Sequence, residues 1–165
     1  MFFKIQRLVL LFLFIDVSSN LLWPQLFCRR LENVNLVKHY MAEKINSSSL
    51  VKRGPYKFWV NYSPFYNLFH LASVWKKYPG EVFISRSFVN TSYSEVALAH
   101  EVGHWESNNI LWNKSEFDAD RFASHIFGPE KTLEMLIYLN KNYGENKKGN
   151  QRIERMKLIL SDQPH

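Results

Sequence analysis

The apolar residues of this chain change their period once along its central and C-terminal parts. Runs that suit strands are confined to Tyr56–Phe88, and from Ser92 onward apolar residues recur at helical spacing. Strands gathered in one stretch and helices in another predict an α+β fold, mostly helical, with one small antiparallel sheet packed on a later helix. Tyr56–Asn61 reads as a short strand between Pro55 and Pro64. Asn67–Trp75 suits helix or strand by itself. Its neighbour decides for strand: Lys76-Lys77-Tyr78-Pro79-Gly80 is turn chemistry, and Glu81–Phe88 is again β-branched and aromatic. Two such runs around Pro-Gly predict an antiparallel hairpin.

Helices are predicted on both sides of that stretch. Leu31, Val34, Leu36-Val37, Tyr40-Met41 and Ile45 mark an amphipathic helix over Arg30–Ile45, ended by the polar Asn46–Ser49. Ser92 followed three residues later by Glu95 is a capping-box pattern, so the next helix is expected to start there and run to about Ser107. Another is expected from about Ser115 to the Gly128-Pro129 stop. Leu133, Leu136-Ile137 and Leu139 mark a further helix, and Ile153, Met156 and Leu160 a last, weaker one.

A chain of 165 residues, 46% hydrophobic, is enough for one cored domain and leaves little for a second. The net charge of +6 comes as pairs, Arg29-Arg30, Lys52-Arg53, Lys76-Lys77 and Lys147-Lys148, not as a long basic run. Together with the lack of any helix-turn-helix, zinc-finger or RNA-recognition pattern, this argues against nucleic acid as partner. Cys28 is the only cysteine, which rules out an intrachain disulfide and a cysteine zinc cage; it reads as a small hydrophobe.

The N-terminus carries Lys4 and Arg7, the apolar run Leu8–Ile15, and then small and polar residues to Asn20. That is the layout of a secretory signal, and Leu21-Leu22-Trp23 extends it toward a signal-anchor. Residues 1–28 are therefore expected to be a targeting or anchor segment, and 29–165 a single domain. Export or membrane association follows, with a buried first helix and a cytoplasmic protein as the alternative. Asn46, Asn61, Asn90 and Asn113 each open an Asn-x-Ser/Thr triplet, which has meaning only on a eukaryotic secretory route.

The chemistry lies in His100-Glu101-Val102-Gly103-His104. Residues four apart on a helix share one face, so both imidazoles point at one place, where they suit a zinc ion. Glu101 stands about 100° further round the helix and flanks the metal. There it can take a proton from a water at the metal. A catalytic zinc needs a third protein ligand and an open position. Glu106, Glu116, Asp118, Asp120 and His125 are the downstream candidates. Glu116 is favoured, since it opens the next helix after a connection able to fold it back. Asp120, one turn on, shares its face and is expected to orient a ligand imidazole from behind. The oxyanion donor stays open among Tyr93, Arg121, His125, Tyr138 and His70.

Ser94–His104 resembles the metal helix of the HtpX-like and CAAX-endopeptidase-like zinc metallopeptidases. Glu116-Phe117-Asp118-Ala119-Asp120-Arg121-Phe122-Ala123 resembles that family's second signature, E-x-x-A-D-x-x-A. Pro79–Arg86 and Asn67-Leu68-Phe69 resemble its preceding strands, so the likeness covers about Asn67–Asn140. The resemblance implies a gluzincin with a zincin-like fold: one zinc per chain on His100, His104 and Glu116, endopeptidase activity on peptides or unfolded proteins, and an edge strand that binds extended substrate. With no set of several transmembrane segments and only eleven residues between His104 and Glu116, the chain is most similar to the compact minigluzincins. Besides a zinc hydrolase acting on something other than peptides, which the residues alone leave open, two readings compete with a peptidase. One is a zinc-stabilised binding or regulatory module without turnover, against which the intact Glu101 argues. The other is a repressor-cleaving metallopeptidase, against which argues the lack of a helix-turn-helix after Gly128.

Overall fold

The computed structural model describes residues 28–31, 36–63, 71–107 and 115–162. The targeting segment expected over residues 1–28 lies outside them except for Cys28, and the strand expected at Asn67–Phe69 and His70 lie outside them altogether. Four strands are described: β1 (Cys28–Arg30), β2 (Lys57–Asn61), β3 (Ala72–Val74) and β4 (Glu81–Ser85). Six helices accompany them: α1 (Leu36–Asn46), α2 (Arg86–Val89), α3 (Ser94–Glu106), α4 (Ser115–Phe127), α5 (Pro129–Tyr143) and α6 (Lys147–Ser161). The class is α+β. Among the described residues no helix is long and apolar enough to cross a membrane.

The sheet runs in the order β1-β2-β4-β3. Its β3–β4 hairpin is antiparallel, with Ala72 opposite Ile84 and Val74 opposite Val82. Gly80, at φ +76°, closes the turn in a conformation that side chains other than glycine resist. The sheet as a whole is mixed, which corrects the antiparallel expectation: β2 pairs in parallel with β4, Lys57 opposite Glu81 through Asn61 opposite Ser85. The reason is topological. The hairpin turns back once, so β4 regains the direction of β2 and inserts between β2 and β3. That central place also explains why β4 reads as a continuous apolar run. Val82 and Ile84 lie in the main core, while Phe83 packs on the other face with Cys28, Trp59, Trp75 and Tyr78.

Three local expectations are corrected. Arg30 does not begin a helix. Cys28–Arg30 pair antiparallel with β2, because a free strand edge offers hydrogen bonds that outweigh a weak helical preference. The helix begins at Leu36 instead, and it buries Ala42 and Ile45. The strand expected to reach Phe88 stops at Ser85, whose Oγ accepts the Phe88 N–H at 3.1 Å and caps α2. The capping box of Ser92 and Glu95 does not form: Tyr93 is the N-cap, without a side-chain bond, and Glu95 pairs with Lys131 of α5. A partner on a neighbouring helix has displaced a local one.

The hairpin helices α5 and α6 close the domain. Gly144 turns the chain at φ +108°, and Asn146 caps α6 by accepting the Gly149 N–H at 2.8 Å. Ile153 and Met156 bury one face of α6. The main core joins β2 and β4 to α3, α4, α5 and α6 through Phe58, Val60, Leu98, Ala123, Met135 and Met156.

Candidate metal centre

Helix α3 packs on β3 and β4 with one face and on α4 with another. Small residues let α4 come close. A methyl on Gly103 would stand 2.7 Å from the Ala119 Cα and 3.0 Å from the Phe122 Cβ. Ala119 and Ala123 are fully buried in α4. Gly103→Ala is therefore expected to destabilise the fold by about 1–3 kcal/mol, since backbone atoms cannot yield as a flexible side chain would. Urea unfolding checks this, and an unchanged midpoint would show that the two helices are not held at that spacing.

This approach sets five acidic and imidazole side chains together. His100 Nε2 and His104 Nε2 stand 3.1 Å apart, with the rings at 88°. One ligand atom from each of His100, Glu101 and His104 lies within 4.8 Å of the others. Glu116 Oε2, from the first turn of α4, is 3.4 Å from His100 Nε2. Asp120, one turn further along α4, places Oδ1 2.9 Å from His100 Nδ1 on the opposite side of the ring. That approach is close in distance but poorly directed, as the Nδ1 hydrogen does not point straight at the oxygen.

The donor set suits a zinc ion. Ligand atoms at ~2.0–2.1 Å from a tetrahedral zinc stand roughly 3.3 Å from one another. The His100–His104 and His100–Glu116 separations, 3.1 Å and 3.4 Å, match that spacing, while the side chains whose ligand atoms all lie within 4.8 Å of one another are His100, His104 and Glu101. Without a metal, burial acts against a charged His100, but Asp120 and Glu116 prevail and raise its pKa to about 9. His104 is lowered to about 4 by burial and by the charge on His100. Burial opposes the Glu116 charge, yet His100 and Arg152 hold that carboxyl well below the usual range.

Glu101 lies beside the two imidazoles. Burial raises its pKa to about 7, and Val74 of β3 donates its backbone N–H to the carboxylate. Among the described residues, strand β3 is one edge of the sheet. Ser85 donates to the Leu71 carbonyl at 2.8 Å, so by the alternation of an antiparallel ladder Ala72 and Val74 turn their N–H and C=O groups outward. The outward Val74 group is the one that reaches Glu101.

Other sequence candidates lie elsewhere. Glu106 accepts hydrogen bonds from Lys52 N, Arg53 N and the Tyr56 hydroxyl, and so ties the 52–56 loop to the end of α3. Asp118, Arg121 and His125 are exposed on α4. Tyr93 and Tyr138 pack on each other with ring centroids 4.9 Å apart.

Sequence reasoning missed Arg152 of α6. Its Nε and NH2 donate to Asp120 Oδ2 and Oδ1 at 2.7 and 2.6 Å, and NH1 is 3.0 Å from Glu116 Oε2. Lys148, one turn earlier, brings Nζ to 3.5 Å from Glu116 Oε1. The only signal in the sequence is two basic residues four apart beside the apolar Ile153, a pattern that surface helices also show. Between α5 and α6 a cavity of about 210 Å³ opens beside Glu116 and Arg152, lined by Leu136, Leu139, Tyr143 and Lys148 among others. Comparison with protein-family models, curated proteins and solved structures gives no match to this chain.

Proposed function

We propose that this protein is a zinc-dependent endopeptidase of the gluzincin type, acting on extended peptide or unfolded protein. One observation carries the reading: His100 and His104 bring their Nε2 atoms to 3.1 Å, Glu116 Oε2 stands 3.4 Å from His100 Nε2, and the partly buried Glu101 carboxylate lies beside the imidazole pair. Structural zinc sites have no need of that extra acid. His100, His104 and Glu116 would hold the ion. When bound, it supplies a nucleophilic water near neutral pH and polarises the scissile carbonyl. Glu101 accepts the proton of the attacking water and passes it to the leaving amine, a task suited to a carboxyl whose pKa lies near 7. The outward groups of Ala72 and the Val74 carbonyl offer an edge on which an extended substrate can add as a strand. The cavity beside Glu116, about 210 Å³, would take one substrate side chain.

The test is direct. Metal analysis of the purified chain is expected to return one zinc ion, and an unfolded protein offered as substrate is expected to be cut internally. A chelator should stop the cutting and zinc should restore it. Cleavage that persists in full after zinc is removed would end the proposal.

A second expectation concerns protons. His100 carries a proton at pH 7 in the metal-free protein, because its pKa is raised to about 9, whereas His104 is already neutral. Zinc takes the neutral imidazole, so binding at pH 7 should release about one proton. The apparent zinc affinity should rise roughly tenfold per pH unit from pH 7 and level off as pH passes the His100 value. Calorimetry in buffers of different ionisation enthalpy measures the release. No release at pH 7 would mean that Asp120 and Glu116 do not charge His100.

A further inference from the structure

We propose that Arg152 is a positioning residue of this centre: from α6 it orients Glu116 directly and the His100 imidazole through Asp120, and the zinc affinity of the triad depends on it. The inference rests on the reading of the centre as a metal site. Glu116 and Asp120 are two carboxylates one turn apart on α4, a spacing at which like charges repel. Asp120 is 1% exposed, so solvent does not screen it. Arg152 spans both with separate donors, two on Asp120 at 2.7 and 2.6 Å and one on Glu116 at 3.0 Å. The planar guanidinium fixes direction as well as charge, which a lysine ammonium does not.

The consequence for the ligands is specific. Asp120 faces His100 Nδ1 at 2.9 Å, and so bears on the ring whose Nε2 turns toward His104 and Glu116. With Arg152 in place, Asp120 is held from one side and its free direction is toward the imidazole. Glu116 is held with Oε2 on the imidazole side. Without Arg152, both carboxylates lose their common anchor and can turn away from the His100 imidazole. The C-terminal hairpin thereby becomes part of the metal centre, although it contributes no ligand.

Zinc affinity of the full-length protein, measured by competition with a chromophoric chelator, tests this. Outer partners of metal ligands commonly contribute ~10–100-fold in affinity. Arg152→Ala is expected to weaken zinc by about that factor, with Arg152→Lys recovering only part of it. Guanidinium ion at non-denaturing concentration should restore affinity to Arg152→Ala, whereas sodium chloride at equal ionic strength should not. Met156→Ala loosens the same helix on its apolar face and leaves Arg152 intact; its folded form should bind zinc as the unaltered protein does. An equal loss in Met156→Ala, or wild-type affinity in Arg152→Ala, would reduce Arg152 to a staple between helices and leave the metal site standing. If Arg152→Ala does not fold, Arg152→Lys decides, and affinity equal to the unaltered protein overturns the role. Failure of the unaltered protein to bind zinc overturns the peptidase reading itself.

Discussion

Glu101→Gln is expected to bind one zinc ion and to have lost nearly all peptidase activity. The amide keeps the shape of the carboxyl and can still meet the Val74 N–H with its oxygen. It cannot accept a proton from water, and general-base catalysis of this kind contributes ~10²–10⁴-fold to rate. The two ligand imidazoles and Glu116 are untouched, so metal content separates loss of the base from loss of the ion. Activity also carries a pH signature. Burial raises the Glu101 pKa to about 7 in the metal-free protein, and a divalent cation beside it would lower that value. Protonation removes the base, so kcat/KM should fall with pH along an acid limb at or below about 7. Internal cleavage of an unfolded protein, followed over pH with matched metal occupancy, measures both effects. Wild-type rates in the glutamine variant would remove Glu101 from the proposed role.

Glu116→Ala should lose the metal. It deletes the carboxylate that stands 3.4 Å from His100 Nε2 and leaves the imidazole pair without a third donor. The loss should exceed the ~10–100-fold typical of an outer partner, because a ligand itself is gone. The exposed Asp118→Ala, two residues along the same helix, is the matched control and should bind as the unaltered protein does. Dialysis against a weak chelator followed by metal analysis tells the two apart. A Glu116→Ala protein that stays fully loaded would place the third ligand elsewhere.

These two variants also mark where sequence and tertiary structure divide the work. The helical spacing of His100 and His104 is a local property, set by 3.6 residues per turn, and it was legible in five consecutive residues. The same holds for Glu116 and Asp120 on one face of α4, and for Gly80 and Gly128, which mark a turn and a helix end. The small residues Ala97, Ala99 and Gly103 leave room for a close neighbour on α3, without saying which one.

What failed was each step that depended on a partner distant in the chain. The Ser92–Glu95 pattern was sound by itself, but Glu95 found Lys131 thirty-six residues on. Cys28–Arg30 carried too little pattern to announce a strand and took its conformation from β2. The parallel pairing of β2 with β4 depends on which edge the hairpin inserts against, and strand-like residues look alike in either direction. Arg152 sits on a helix marked in the sequence by Ile153, Met156 and Leu160, and a basic residue on the flank of such a helix ordinarily reaches solvent.

By itself the sequence determined the α+β class, the two histidines on one helical face and the acidic pair on the next helix, because these follow from short-range period and turn chemistry. Only the tertiary structure decided that α4 closes on α3 over Gly103, that β3 turns its Val74 N–H to Glu101, and that Arg152 joins Glu116 to Asp120. Those depend on packing between segments far apart in the chain, where geometry is settled by shape and charge across the whole core and not by neighbours in sequence.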